Sequence, residues 1–259
     1  MPTHELLKLT AAQVMDGGYD KAILAVGACE AHGRHLAEGT DTLVSYMLSC
    51  KVAERTGGLL VLPPVCVGYS AHYDSFPFSL TLGYDTTCLV LYDIIESVIR
   101  NGVNKIFIMN GHDGNIAPIE IASRRIKEKH PGARIAALPA WWITAGELLP
   151  ADTFEVMGGL GHGGEGETSI AYHLFPQWCQ PGNATSVVPD RLPAHIEIKW
   201  DFSELTETAQ TGDATKGTAE KGAKMAEALV SCVAKAIAEL DACGWDCSTS
   251  DCERHGTRA

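Results

Sequence analysis

Short apolar runs alternate with stretches of helically spaced apolar residues along most of the chain. The runs are continuous rather than alternating, which is typical of strands buried on both faces. They cover residues 21–28, 59–65, 105–110 and 134–139. Helical spacing between and after these runs predicts three helices, which begin near Thr40, Asp85 and Ile119. Strands that alternate with helices predict an α/β fold, in which helices cover both sides of a mostly parallel sheet.

The second half of the chain is less regular. Glycine and proline are frequent from about 139 to 216, so we expect loops and short elements there. The spacing of apolar residues from Met225 to Leu240 then predicts a long helix that packs back on the sheet. Because the chain shows no repeat and no linker, we expect one domain over residues 1–242 and a flexible tail over 243–259.

Three cysteines lie in that polar tail: Cys243, Cys247 and Cys252. A metal clip is one interpretation, but three thiols without a fourth favour an exposed tail. The other six cysteines are scattered singly, several of them in apolar stretches, as expected of small buried residues in a reducing compartment.

Composition excludes several classes of protein. The chain has 259 residues, of which 46% are hydrophobic and 20% charged, and this is typical of a globular protein with a full core. A formal net charge of −12 disfavours nucleic acid as a partner. No apolar run approaches the ~18–20 residues of a membrane span, and the N-terminus lacks the long apolar stretch of a signal peptide. We therefore expect a cytoplasmic protein that acts on a small molecule.

Histidine and acidic residues collect where the predicted strands end, which is where parallel sheets bind their ligands. Glu30 and His32 follow the first strand two residues apart, so an extended backbone projects them to the same side. Asp41 stands at a predicted helix start, where a carboxylate is favoured. His112 follows the third strand, and the glycine-rich segment 161–169 adds a third group of such residues.

Each of these residues also has an ordinary structural interpretation. Glu30-x-His32 alone is typical of a surface turn, His112 alone of a core histidine, and Asp41 alone of a helix cap. Their coincidence favours a metal site, because four of the ten histidines fall in these segments: His32, His35, His112 and His162. Mixed imidazole and carboxylate ligands suit zinc, manganese or iron(II), and a bridging carboxylate is what a two-metal site requires.

Three motifs occur in a fixed order between about residues 20 and 175. They are Glu30-x-His32-Gly33-x-His35 with Gly39-Thr40-Asp41, then Asn110-Gly111-His112-x-Gly114-Asn115, and then His162-Gly163-Gly164-Glu165-x-Glu167-Thr168-Ser169. Together they resemble the signature motifs of the creatininase (creatinine amidohydrolase) family. The resemblance implies a three-layer α/β/α sandwich and a hydrolase with two divalent metal ions per chain (Zn, Mn or Fe), usually a homohexamer.

The resemblance also implies roles for individual residues. It makes Glu30, His32, Asp41 and His112 metal ligands, with Asp41 as the bridge. His162 becomes a catalytic or substrate-orienting residue.

One departure from the family pattern changes the expected ligand set. Creatininase carries a carboxylate where this chain has Gly114, so one metal is left a ligand short. We assign Glu167 to that metal, because a helix start fixes a carboxylate in place. We assign the more mobile Glu165, together with His162, to proton transfer.

Other departures concern the substrate. Asp113 replaces an aromatic residue of creatininase, residues 157–160 stand where it has a pocket-closing tryptophan, and Phe76–Ser79 is a bulkier form of its Phe-Pro-Gly-Thr segment. We expect substrate contacts from His72, Asp113 and Ser79. Creatinine should be a poor substrate, because a flat ring would lose two stacking partners, each worth about 1 kcal/mol.

The expected activity is hydrolysis of a C–N amide bond, in a cyclic amide or a formamide, by metal-activated water. The alternative within the family is cleavage of a C–C bond in a cyclic keto-sugar or keto-inositol. Two other classes are weaker. Gly159-x-Gly161-x-x-Gly164 fits a dinucleotide fingerprint but has no strand before it, and an inactive binding protein would not need His162 and Glu165 beside a full ligand set.

Overall fold

The computed structural model describes residues 4–189 and 198–246. The strands of these residues are β1 (Lys21–Val26), β2 (Leu59–Val61), β3 (Lys105–Asn110), β4 (Arg134–Leu138), β5 (Ser186–Val187) and β6 (Gly212–Asp213). The α-helices are α1 (Ala11–Asp16), α2 (Thr40–Ala53), α3 (Tyr84–Arg100), α4 (Ile116–Lys129), α5 (Trp141–Leu148), α6 (Glu165–Leu174) and α7 (Ala219–Ala242).

The central sheet has four parallel strands in the order β2-β1-β3-β4. Val26 at the end of β1 lies opposite Asn110 at the end of β3, so the segments that follow these strands start side by side. β2 ends earlier than predicted. Pro63 and Pro64 interrupt the pairing, because proline has no N–H to donate, and a single bridge from Val65 to Val26 resumes it.

Helices cover both faces of the sheet. Ile23 and Phe107 point into a core beneath α2, α5, α6 and α7, whereas Leu24 and Ile108 point into a second core beneath α3 and α4. Because neighbouring residues of one strand enter opposite cores, the strands need continuous apolar runs. This arrangement confirms the three-layer α/β/α sandwich.

The irregular region contains loops and short elements, as expected, including the antiparallel pair β5–β6 and the helices α5 and α6. The sequence pattern did not predict α5, an eight-residue helix. Gly159, the first glycine of the apparent dinucleotide fingerprint, is the last residue of a single turn, Met157–Gly159. That motif therefore lacks the strand on which it depends.

Trp245, which follows α7, packs back onto the domain. Trp245 is only 4% exposed, lies in the core beneath α7, and donates its indole N–H to the Asp241 carboxylate at 2.8 Å. Packed structure thus continues past the predicted boundary at residue 242, and Cys243 is half-buried. Cys247 and Cys252 lie outside the described residues. None of the helices in the described part of the chain combines the length and apolar character needed to cross a membrane.

Candidate metal centre

The ends of β1 and β3 and the starts of α2 and α6 bring the predicted ligands to one buried place. Glu30 and His32 follow β1, and His112 follows β3. Asp41 lies in the first turn of α2, and Glu167 in the first turn of α6. A Cβ atom on Gly111 would lie 2.3 Å from the Asp41 carbonyl oxygen, so only glycine lets these two segments approach so closely.

Asp41 is shared between two groups of three residues. Its Oδ2 lies 3.3 Å from His112 Nδ1, and Glu30 Oε1 lies 3.1 Å from the same nitrogen. Its Oδ1 lies 2.9 Å from His32 Nε2, and Glu167 Oε2 lies 3.8 Å from that nitrogen. In each group the ligand atoms lie within 4.8 Å of one another. Each group therefore offers an imidazole and two carboxylates, with Asp41 common to both.

Backbone carbonyls fix the orientation of both imidazoles. His32 Nδ1–H donates to the Glu30 carbonyl at 3.0 Å, and His112 Nε2–H donates to the Tyr69 carbonyl at 2.8 Å. In the neutral rings, His32 Nε2 and His112 Nδ1 then present lone pairs to the carboxylates. Such outer hydrogen bonds are the usual way in which metal-binding histidines are held.

The donor atoms fit a cation. Both oxygens of Glu30, and Oδ2 of Asp41, are buried and have no hydrogen-bond partner among the described residues. Buried carboxylate oxygens without donors are costly, and lone pairs of His32 and His112 that face them add to the cost. Divalent metal ions between these atoms would satisfy all of them, and the ligand set suits zinc, manganese or iron.

The pKa values of the site without metal also indicate that the carboxylates stabilise positive charge between them. Burial lowers the pKa of His32, but Asp41, Glu167 and Glu30 outweigh it and raise this pKa to about 10. Burial likewise opposes charge on His112, yet Glu30 and Asp41 hold its pKa well above the usual value. Burial raises the pKa of Glu167 to about 7, although His32 opposes the shift. Without metal, protons on the histidines therefore balance the carboxylates.

His162 lies beside His32, and one of its ring nitrogens already makes a hydrogen bond. Its ring packs against His32 at a tilt of 35°, with centroids 4.1 Å apart, and Nε2–H donates to the Ala31 carbonyl at 2.7 Å. Burial and the neighbouring His32 lower its pKa well below the usual value, so the ring is neutral. Its Nδ1 then carries the free lone pair. His162 also forms a third group of candidate ligands with Glu30 and His32.

The expectation that Glu165 is the more mobile carboxylate is wrong. Glu165 is fully buried, accepts hydrogen bonds from the backbone N–H groups of Glu155 and Val156, and pairs with Lys221 Nζ at 2.6 Å. It does not belong to either group of metal-ligand candidates. Glu165 and Glu167 both lie on α6. Residues two apart on an α-helix are related by a rotation of about 200° about its axis, so these two carboxylates point to nearly opposite sides.

Gly114 cannot be replaced by a ligand-bearing residue without rearrangement. A Cβ atom at this position would lie 2.1 Å from the Tyr69 carbonyl oxygen and 2.6 Å from His112 Nε2. The same carbonyl accepts the His112 hydrogen bond. The close approach of the Tyr69 carbonyl to His112 therefore depends on glycine at position 114. The carboxylate beside His32 is that of Glu167.

A cavity of about 290 Å³ opens onto the site. Asp113 lines it, as do His162 and Glu167. The two other predicted substrate contacts hold parts of the site in place. His72 stacks on His112 with centroids 5.6 Å apart, and Ser79 Oγ accepts the Ala31 N–H at 3.2 Å.

Three aromatic side chains in the cavity wall were not predicted: Tyr73, Trp142 and Phe202. Aromatic rings therefore line the cavity from positions other than the two at which creatininase has its stacking residues. The sequence position of two of them pointed to the cavity. Tyr73 follows His72, a predicted substrate contact, in the same short turn. Trp142 follows the end of β4, and parallel sheets bind ligands at the ends of their strands. No feature of the sequence pointed to Phe202.

Known proteins share this fold and these motifs. The family model for creatininase, described as creatinine amidohydrolase, matches residues 6–237. Creatinine amidohydrolase of Pseudomonas putida is 27% identical over 84% of this chain and 88% of its own. A mycofactocin precursor peptide peptidase of Mycobacterium ulcerans is 26% identical over 89% and 90%.

A third relative, the 3-dehydro-scyllo-inosose hydrolase of Thermotoga maritima, is 26% identical over 85% of this chain and 78% of its own. A solved structure of creatininase with Mn superposes with a TM-score of 0.77 and 27% identity, covering 92% of this chain and 98% of the other. The motifs, the fold and the match over most of the chain agree, and the chain belongs to the creatininase (creatinine amidohydrolase) family.

Proposed function

We propose that this family member is a hydrolase that uses two divalent ions, zinc, manganese or iron(II), to cleave a C–N amide bond in a small polar molecule. The arrangement of Asp41 is the observation that carries the proposal, because each of its oxygens lies beside a different histidine and a different second carboxylate. Ions bound there would supply Lewis acidity and lower the pKa of a water toward neutrality.

His162 is the residue that we assign to proton transfer. Because its Nε2–H is held by the Ala31 carbonyl, the lone pair on Nδ1 is free to accept a proton from the attacking water. Because its pKa is low, the ring is in the neutral form that a proton acceptor needs, and it would pass that proton to the leaving nitrogen. Glu165 has no part in this step, since Lys221 and two backbone amides hold its carboxylate.

Tyr73 is the residue that we assign to the carbonyl oxygen of the substrate. Its ring packs against both His162 and Phe202, with centroids 4.5 Å away in both cases. It is only 3% exposed and lines the cavity. A phenol in the cavity wall, in contact with His162, is suited to donate a hydrogen bond to a developing oxyanion.

Amide hydrolysis is favoured over cleavage of a cyclic keto-sugar. Two of the relatives are named as an amidohydrolase and a peptidase, whose substrates contain C–N bonds. The 3-dehydro-scyllo-inosose hydrolase is the relative that represents the alternative. An inactive binding protein would not require a neutral histidine and a phenol in the cavity beside the candidate ligands.

The test combines metal analysis with a substrate screen. The purified protein is stripped with a chelator, loaded with Mn or Zn, and assayed on cyclic amides including creatinine, on formamides and on keto-sugars. We expect close to two ions per chain and turnover of an amide, both lost in Asp41→Asn. Asp16→Asn, on the exposed helix α1, is the matched control. A wild-type protein that holds no transition metal and gains no activity on loading contradicts the proposal.

A further inference from the structure

The peptide group between His162 and Gly163 is held from two sides. Its carbonyl oxygen accepts the Thr211 N–H at 2.8 Å, and its N–H donates to Glu167 Oε2 at 2.6 Å. The amide of Gly163 therefore orients the Glu167 oxygen that faces His32 Nε2. Gly163 itself has φ +57° and lies against the His32 backbone.

A second chain of hydrogen bonds holds the other side of Gly163. Thr168 Oγ1 donates to the Gly163 carbonyl at 3.1 Å, and His35 Nε2 lies 2.8 Å from the same hydroxyl. The hydroxyl has one hydrogen, which Gly163 receives, so His35 Nε2–H must be the donor to Thr168. Both side chains are fully or almost fully buried.

Among the described residues, the hydrogen bonds of the His35 imidazole go to Thr168 and to the Gly163 backbone. Its Nδ1 is buried without a partner among the described residues, a cost that an apolar residue would avoid. The ring makes its one side-chain hydrogen bond to Thr168. Because Gly163 can adopt many backbone conformations, a fixed partner on its carbonyl limits the directions in which its amide can point.

We propose that His35 and Thr168 are positioning residues, which hold Gly163 so that its amide orients Glu167 as a metal ligand. The inference rests on the proposed metal site and adds a specific set of outer contacts to it. Outer partners of metal ligands typically change metal affinity by ~10–100-fold. The effect should fall on the ion beside His32 and Glu167 and should spare the ion beside Glu30 and His112.

The experiment measures metal affinity rather than activity. Wild type, Thr168→Val and Thr168→Ser are stripped and titrated with Mn and with Zn, and ions per chain are counted by elemental analysis after dialysis. Valine keeps the shape of threonine but neither donates nor accepts. The matched control is Thr87→Val, since Thr87 is also buried and its hydroxyl donates to the Gly83 carbonyl at 3.0 Å, at the start of α3.

We expect Thr168→Val to bind one ion at least ~10-fold more weakly than wild type. The metal affinities of Thr168→Ser and Thr87→Val should equal those of wild type. Circular dichroism and melting of the metal-free proteins identify a variant that does not fold. In that case His35→Asn decides, because its shorter amide cannot reach Thr168 and the same loss of one ion is expected.

Two results overturn the inference and can be told apart from failure of the proposed function. If wild type binds two ions and Thr168→Val binds both with unchanged affinity, the positioning role is wrong and the metal site stands. If Thr168→Val and Thr87→Val lose metal equally, the hydrogen bonds only stabilise the fold. If wild type itself binds no ion, the proposed function is contradicted.

Discussion

Substitution of Glu165 by glutamine tests whether this buried carboxylate serves the fold rather than the reaction. The carboxylate is fully buried and its partner, the side chain of Lys221, is only 16% exposed. Loss of one partner from a buried ion pair costs ~3–5 kcal/mol. Here the cost should be lower, because the glutamine oxygen can still accept the N–H groups of Glu155 and Val156.

Lys221 also keeps other partners, the Glu155 carboxylate at 3.2 Å and the Lys216 carbonyl at 3.0 Å. We therefore expect Glu165→Gln to lose about 2–3 kcal/mol of the free energy of unfolding. For a domain of this size that corresponds to a melting temperature roughly 4–12 °C lower. Both ions should be retained, since Glu165 lies outside the ligand groups.

The assay is thermal melting of the stripped protein, followed by a count of ions after loading. Glu227→Gln is the matched control, because Glu227 also pairs with a cation, Arg55 at 2.7 Å, but on the surface. Surface pairs contribute little, so this control should melt close to wild type. If Glu165→Gln melts no lower than the control, or loses an ion, the reasoning about the buried pair is refuted.

Three further expectations concern the metal site. Glu167→Gln should keep the ion beside His112 and lose the one beside His32. An open site needs about three protein ligands, and this change leaves the second ion with fewer. Elemental analysis of ions per chain checks this. Metal loading at pH 7 should release at least two protons per chain, and affinity should rise with pH, because the raised pKa values leave His32 and His112 protonated and Glu167 partly protonated in the metal-free protein. Calorimetry in two buffers measures the release. Tyr73→Phe should keep both ions and lower kcat by about a hundredfold, measured on the best amide of the screen, and an unchanged kcat would remove Tyr73 from the mechanism.

The layers of the fold were predictable because the apolar pattern is strong where burial is complete. Residues 105–110 are a strand with the predicted bounds, since every position from Ile106 to Asn110 is buried. The pattern weakens where prolines or short elements intervene. β2 is cut short by Pro63 and Pro64, and α5 was not predicted because its apolar residues lie on several sides and form no stripe.

The candidate ligands were predictable from residue type and position, because all five follow strands or begin helices at one edge of the sheet. The error over Glu165 arose from the position of the helix start. Because α6 begins at Glu165 and not at Glu167, both carboxylates lie in its first turn and point in different directions. Cavity walls were harder to predict, since Trp142 and Phe202 come from segments far apart in sequence and no local period links them.

The position of Gly114 explains why the third motif supplies a ligand. The Tyr69 carbonyl holds His112 through Nε2–H, and in doing so it occupies the space that a side chain at Gly114 would need. A carboxylate at that position and this support for His112 are therefore sterically incompatible in the observed arrangement. Glu167 can take the second place beside His32 because Gly163 and the hydrogen bonds around it orient its carboxylate. The proposed ligand role of Glu167 thus depends on Gly114, Gly163 and Thr168 as well as on its own carboxylate.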